Sequence, residues 1–307
     1  MAGSRRGVHR KVIAAFLASI LCPLSSILVA QAPLRAVTFN IRYGTANDGA
    51  HAWPNRRAHV IATIRDHAPH VLGLQEALHA QVEELRAALP RYQVVGVGRD
   101  DGATKGEYAA ILVDTARFAI ESSGTTWFSD TPTVPGSKHW GNNITRITTW
   151  ALLRDRGSDE RFWLYNLHLD HESQPSRERS VAFLLEEHQR RSASQRASDA
   201  TAAELGGAQS EPRLMIMGDF NSNETNPAYR AALAAGLRSA YRVIDPSTGD
   251  RSTFTGFKDT PDWQTGVIDH ILIDNRWQVI DTGIDMRKFG PLWPSDHFPV
   301  WAILKAQ

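Results

Sequence analysis

Two spacings of apolar residues alternate along the chain. Residues 34–41, 109–113, 162–169, 214–217, 267–273 and 299–304 are short apolar runs bounded by polar or turn residues. Their length, about four to eight residues, is that of buried strands. Between them the period lengthens. Leu78, Val82, Leu85 and Leu89 recur at helical steps, and this predicted helix stops at Pro90. Asn226-Pro227 opens another as N-cap and first helical residue, with Gly236 closing it. Ser176 is placed to cap a third helix carrying Val181, Leu184 and Leu185. Several strands follow one another with no helix between them, so the sheets are expected to be mixed. No repeat with a period of about 20–50 residues occurs, which removes solenoids and propellers. Residues 190–213, rich in Ser, Ala, Gln and Gly, interrupt the pattern. The strands on either side both end in polar clusters, so this stretch is expected as a surface insertion within one domain.

The first thirty residues follow a different rule. Met1 to Lys11 is basic, Val12 to Ala30 carries no charge, and Ala30-Gln31-Ala32 offers a small-x-small cleavage site. That order predicts an export signal over 1–32 and a mature domain over 33–307. An uncleaved membrane anchor is the alternative, against which Cys22-Pro23 and the serines of the segment argue. Cys22 is the single cysteine and would leave with the signal. The mature chain then has no disulfide, thiolate zinc site or cysteine nucleophile, and any metal must be held by oxygen or imidazole.

Composition and charge narrow the classes. With 42% hydrophobic and 22% charged residues among 307, the chain is not collagenous, low-complexity or mostly disordered. Four of its 34 Lys and Arg precede position 33, and none of its 33 acids does. The mature part is therefore near −3. It lacks the basic excess of a protein that binds polyanions by charge alone.

The polar residues that stand out sit where predicted strands end. Asn40 ends the first, Gln75-Glu76 follows Val71-Leu72, and Glu107 precedes a strand. Asn166-Leu167-His168-Leu169-Asp170-His171 runs out of one, and Gly218-Asp219-Phe220-Asn221 ends another. Asp269 lies in a strand, and Ser295-Asp296-His297-Phe298-Pro299 enters the last. Taken singly each has a structural explanation: a helix cap, a turn or a core histidine. Strand ends are also where loops of open α/β sheets converge on ligands.

The order Asn40, Glu76, Glu107, His168, Gly-Asp-Phe-Asn, Asp269 and Ser-Asp-His-x-Pro resembles the endonuclease/exonuclease/phosphatase superfamily over about residues 34–304. The opening Phe39-Asn40-Ile41-Arg42-Tyr43-Gly44, with Asn47-Asp48-Gly49, Trp53 and Arg56-Arg57, is similar to a bacterial, often exported branch. The resemblance implies an α/β fold: a four-layer α-β-β-α sandwich of two mixed β-sheets flanked by helices. It implies a divalent-metal-dependent hydrolase of phosphate esters. Mg²⁺ or Mn²⁺ would be held by Glu76 and Asp296 with Asn40 close by, as suits oxygen donors. Asp219 would orient or deprotonate the attacking water, with Asn221 beside it. His297, oriented by Asp269, and His168, paired with Glu107, would donate to phosphate oxygens as charged imidazoles. Arg146 matches a phosphate-contacting arginine. Where many relatives carry an acid, this chain has Arg42, which either weakens a metal contact or faces an anionic substrate. Asp170, His171 and Arg177 receive no role, and His270 is expected to be structural.

Trp53, Trp127, Trp140, Trp263 and Trp293 fall in predicted loops beside these motifs. They are read as stacking surfaces for bases, sugars or lipid groups, or as tacks that fix loops to the core. The expected protein is an exported phosphodiesterase using in-line attack of water on a nucleotide, sugar or lipid-headgroup ester. A secreted deoxyribonuclease is the alternative, and a non-catalytic scaffold of the same fold is disfavoured because every motif acid is present. A monomer without an obligatory protein partner is expected.

Overall fold

The structure, a computed structural model, describes residues 1–3, 32–204, 210–246, 251–260 and 265–307. Most of the expected export signal, with Cys22, and also Trp263 lie outside the described residues. In chain order the elements are β1 (Leu34–Asn40), α1 (Trp53–His67), β2 (Val71–Ala77), α2 (His79–Ala88), β3 (Tyr92–Val95), β4 (Tyr108–Asp114), β5 (Phe118–Trp127) and β6 (Ile147–Asp155). They continue with β7 (Arg161–His168), α3 (Gln174–Glu204), β8 (Arg213–Asp219), α4 (Pro227–Ala234), β9 (Arg238–Ser239), α5 (Ala240–Ile244), β10 (Asp269–Ile273), β11 (Trp277–Ile284) and β12 (Val300–Ala306).

These strands form two six-stranded mixed sheets, in the orders β11-β12-β1-β2-β4-β3 and β5-β6-β7-β8-β10-β9. Each has one parallel pair at its centre, β1/β2 and β7/β8, with antiparallel neighbours on both sides. Side chains alternate across each strand, so one parity faces the other sheet and the other faces helices. Phe162, Leu164, Met215, Met217, Ile271 and Ile273 point inward and meet Leu34, Ala36, Val71 and Ile111. Trp163, Tyr165, Leu214, Ile216 and Leu272 point outward and pack with Val181 and Leu184 of α3 and Tyr229 of α4. Val37, Phe39, Leu72 and Leu74 do the same with Val60 and Ile64 of α1 and Val82 and Leu85 of α2. The result is the expected four-layer α/β sandwich.

The sheets pack closely at Gly73. A Cβ there would lie 2.6 Å from Asn166 Oδ1 and 2.8 Å from Met217 Sδ. Asn226 caps α4 through its side chain, as expected. The stretch expected as a surface insertion is helical over residues 190–204. It continues α3 as far as Glu204, held by the Arg191–Glu187 pair and by Gln195 and Arg161 on Asp199. These ties fix a helix where no apolar stripe signals one. Trp53, Trp127 and Trp293 are buried, so they act as tacks, while Trp140 is half-buried against Phe183.

Candidate active site

The inward faces of both sheets turn from apolar to polar at the same end. On β1 the inward series is Leu34, Ala36, Thr38, Asn40; on β8 it is Met215, Met217, Asp219. On β7 Leu164 is followed by Asn166 and His168, and on β10 Ile273 and Ile271 lead to Asp269. Register completes the convergence: His168 pairs with Asp219 across the parallel β7/β8 ladder, and Asp269 with Asp219 across β8/β10. Glu76 has the wrong parity on β2. A register shift between Leu74 and Ala77 and a left-handed backbone at Glu76 (φ 61°) bring its carboxylate to Asn40. Arg42 and Asn221 also carry positive φ, 58° and 45°. Backbone strain of this kind gathers where surrounding structure holds it for a purpose.

These groups line an open cleft of about 690 Å³ that includes Arg42, Tyr43, Glu76, Arg99, Glu107, Arg146, His168, Asp219, Asn221, Asp296 and His297. Asn40 is its bridge. Its Nδ2 donates to Glu76 Oε1 and to Asp219 Oδ2, each at 3.0 Å, while its Oδ1 accepts from the Arg42 N–H. The opposite amide orientation would set oxygen against two carboxylates, so the network fixes this one. Asn40 therefore stands close by Glu76 and orients the acids through its amide nitrogen. Asn221 is anchored by Nδ2 to Leu169 O, and its N–H donates to Asp219 Oδ1 at 2.8 Å.

Two imidazoles flank Asp219 Oδ2, His168 Nε2 at 3.6 Å and His297 Nε2 at 3.7 Å. Their electrostatics diverge. Burial alone would depress His297, but the Asp269 and Asp219 carboxylates outweigh it and hold the imidazole well above its ordinary value. Asp269 Oδ2 sits 2.9 Å from His297 Nδ1. His168 is the reverse: burial, then Arg146 and Arg99, push it well down, so it stays neutral. Its expected partner Glu107 lies 3.7 Å from Nδ1. Glu107 instead takes a bidentate bond from Arg99, at 2.7 and 2.8 Å. Glu107 is thus shared between His168 and the closer Arg99, and burial pushes His168 down where a raised imidazole is expected. Burial and Asp269 raise Asp219 to about 7, which suits a group that takes a proton from water.

Glu76 and Asp296 meet at Arg42, whose guanidinium is 3.9 Å from one and 3.7 Å from the other. The same arginine bonds Asp48 at 3.3 Å. Burial, with Glu76 nearby, raises the Asp296 carboxyl. Two crowded, desolvated carboxylates are a donor set that a hard divalent cation would relieve. Asp219, Asp269 and His297 also form an Asp/Asp/His group with ligand atoms within 4.8 Å. There the Asp269 oxygen is committed to His297, and a charged imidazole repels a cation, so this trio is better suited to moving protons. His270 points to the outer layer between Phe220 and Tyr229 and bonds Ser222 O, a structural place as expected.

The sequence reading missed Arg99 and the work of Arg56. Fully buried Arg56 bonds the carbonyls of Ile41, Arg42, His51 and Pro294, clasping the loop that follows Asn40 and the one that leads to Asp296. Backbone acceptors leave no mark in a sequence. The Arg56-Arg57 pair was the only signal.

Comparison with known proteins agrees with this geometry. The chain belongs to the endonuclease/exonuclease/phosphatase family, whose profile matches residues 37–297. A family member from Bacteroides vulgatus is 29% identical and superposes with a TM-score of 0.77, covering 90% of this chain and 100% of that one. A mannosyl-6-phosphatase from Bacteroides thetaiotaomicron is 30% identical, with a TM-score of 0.72 over 89% of this chain and 99% of that one. An uncharacterized protein of Acanthamoeba polyphaga mimivirus is 26% identical over 202 residues, 62% of this chain and 68% of the relative. Members of this family hydrolyse phosphate esters, usually with divalent metals.

Proposed function

We propose that this protein is a divalent-metal-dependent hydrolase of small phosphate esters. The observation that carries it is the meeting, in one cleft, of the Glu76–Asp296 carboxylates with Asp219 between two imidazoles. Glu76 and Asp296 would hold Mg²⁺ or Mn²⁺, which supplies charge to offset that on phosphate oxygens. Asp219 Oδ2 takes a proton from water, with Asn221 helping to place it. His297, kept charged by Asp269, donates from Nε2 to a phosphate or leaving oxygen. Neutral His168 donates or accepts a hydrogen bond on the other side. Arg42 and Arg146 add positive charge for the anion.

The slightly acidic mature chain and a cleft of limited size favour an ester of a small alcohol over a processive nuclease. The diester expected from the sequence and a sugar monoester, which the mannosyl-6-phosphatase relative suggests, are the two substrate arms. Export through the N-terminal segment is part of the proposal. N-terminal sequencing of secreted material checks it. The test of the activity is turnover of a panel of sugar phosphates, nucleotide diesters and plasmid DNA. EDTA is expected to abolish it, and Mg²⁺ or Mn²⁺ to restore it. Turnover unchanged by EDTA overturns the assignment of Glu76 and Asp296.

A further inference from the structure

Asp170, His171 and Arg177, the signature without a role in the sequence, converge on Arg146. The Arg146 side chain is only 3% exposed, yet it lines the cleft. Its Nε lies 3.4 Å from Asp170 Oδ2, and Nη2 donates to His171 Nδ1 at 2.8 Å. Nη1 has no hydrogen-bond partner among the described residues. The anchors are themselves fixed. Asp170 Oδ1 accepts from the Glu172 and Ser173 N–H groups ahead of α3, at 2.9 and 2.7 Å. Its carbonyl accepts from Arg177 Nη1 at 2.8 Å, and Arg177 is tied to Gln174 Oε1 at 2.7 Å. Facing a guanidinium, which only donates, His171 Nδ1 acts as the acceptor.

A guanidinium is a rigid planar fork. Pinning two of its nitrogens sets the direction of the third. Asp170 also supplies the anion that a buried arginine needs, since an unpaired charge in such a place is strongly disfavoured. We propose that Asp170 and His171 are positioning residues that hold Arg146 with Nη1 committed to a phosphoryl oxygen of the substrate. This rests on the reading of the cleft as a phosphoester site.

The test is calorimetric binding of inorganic phosphate to the full chain in Mg²⁺, with KM and kcat measured alongside. Arg146→Gln is expected to weaken phosphate about tenfold or more. His171→Ala should weaken it about threefold to tenfold and raise KM more than it lowers kcat. His171→Gln, whose amide oxygen can still accept from Nη2, should recover most of that loss. Asp170→Asn is expected to resemble Arg146→Gln. If it does not fold, half-exposed His171 carries the test. Unchanged phosphate affinity in His171→Ala, with loss in Arg146→Gln, overturns the positioning proposal and leaves the hydrolase reading intact. Unchanged affinity in Arg146→Gln overturns it as well. Absence of metal-dependent turnover across the ester panel refutes the hydrolase reading itself.

Discussion

Replacing Asp269 by Asn isolates the electrostatic device at the centre of the cleft. The side chains are nearly equal in size, and Asp269 is fully buried, so the change removes a charge and little else. Asp269 Oδ2 stands 2.9 Å from His297 Nδ1. At that separation and an effective dielectric near 20, the lost attraction is roughly 4–6 kcal/mol. Loss of hydration opposes the charged ring, and this attraction is the largest single contribution against it. Without it, His297 keeps only the attraction of Asp219 and Asp296 against burial, and its tendency to stay charged falls. A positioned acid is worth about 10²–10⁴ in rate. The expected result is a kcat lower by about 10²–10³, with KM changed less than about threefold. Stopped assays on a chromogenic phosphate ester give the rates. Ring ¹⁵N shifts should report a His297 that loses its charge at lower pH in the variant than in the parent. Retention of kcat within about threefold by a folded variant refutes the reasoning. So does an imidazole whose titration is unmoved.

Arg42→Ala should push two readouts in opposite directions. Mn²⁺ should bind roughly tenfold tighter once a cation is removed from beside Glu76 and Asp296, while KM for an anionic ester rises. Titration of Mn²⁺ and steady-state kinetics check the pair, and weaker metal binding contradicts it. Acid should destabilise the fold through His70 and His188, both held at about 4, mainly by burial. Their unfolded value is near 6.5, so the unfolded chain gains protons first as pH falls. Stability is intact above about 6.5 and is lost between 6.5 and 4, by up to roughly 1.4 kcal/mol per pH unit for each histidine. Melting curves across that range test it, and His188→Gln should flatten the slope. Gly73→Ala should cost about 1–3 kcal/mol, because its methyl would press on Asn166 and Met217 between the sheets. A denaturant midpoint equal to the parent's would contradict that packing.

What could be read in advance depended on burial. The strands β1, β4, β7, β8 and β10 announce themselves because both faces are covered. β12 does so through its apolar run Val300–Leu304, whereas buried β6 carries Thr148 and Thr149 near its start and does not. The edge strands β5 and β11 were not seen. Half of each faces outward, and Ser, Thr and Gly dilute the alternation. The far turns of α3 were missed for a related reason, since ion pairs and propensity rather than an apolar stripe hold them. Among the site residues, the motif acids and imidazoles were legible and do meet. Their partners were less so. Arg99 captures Glu107, and His168 is left neutral, because tertiary packing decides which of several bases reaches a buried acid.

A layer just beneath the site explains why its electrostatics can be so uneven. Asn166, Gln75 and Thr38 stand between the inter-sheet core and the cleft. Asn166 Nδ2 bonds the carbonyls of Leu74 and Ala110, at 2.9 and 2.8 Å, and Gln75 Nε2 bonds Thr38 and Asn166. These neutral amides tie the two sheets together and add no charge. Behind them lie Met217, Ile111 and Ile271, which screen nothing. Asp219, Asp269 and His297 therefore interact through poorly polarisable material on one side and an open cleft on the other. Interactions that water would reduce to about 1 kcal/mol are several times larger there. The same arrangement raises Asp219 and His297 yet lowers His168: burial moves Asp219 and His168 towards their neutral forms, and only at His297 do the neighbouring carboxylates outweigh it. A fold that ended its polar faces at different ends of the two sheets would keep every motif residue and lose that coupling.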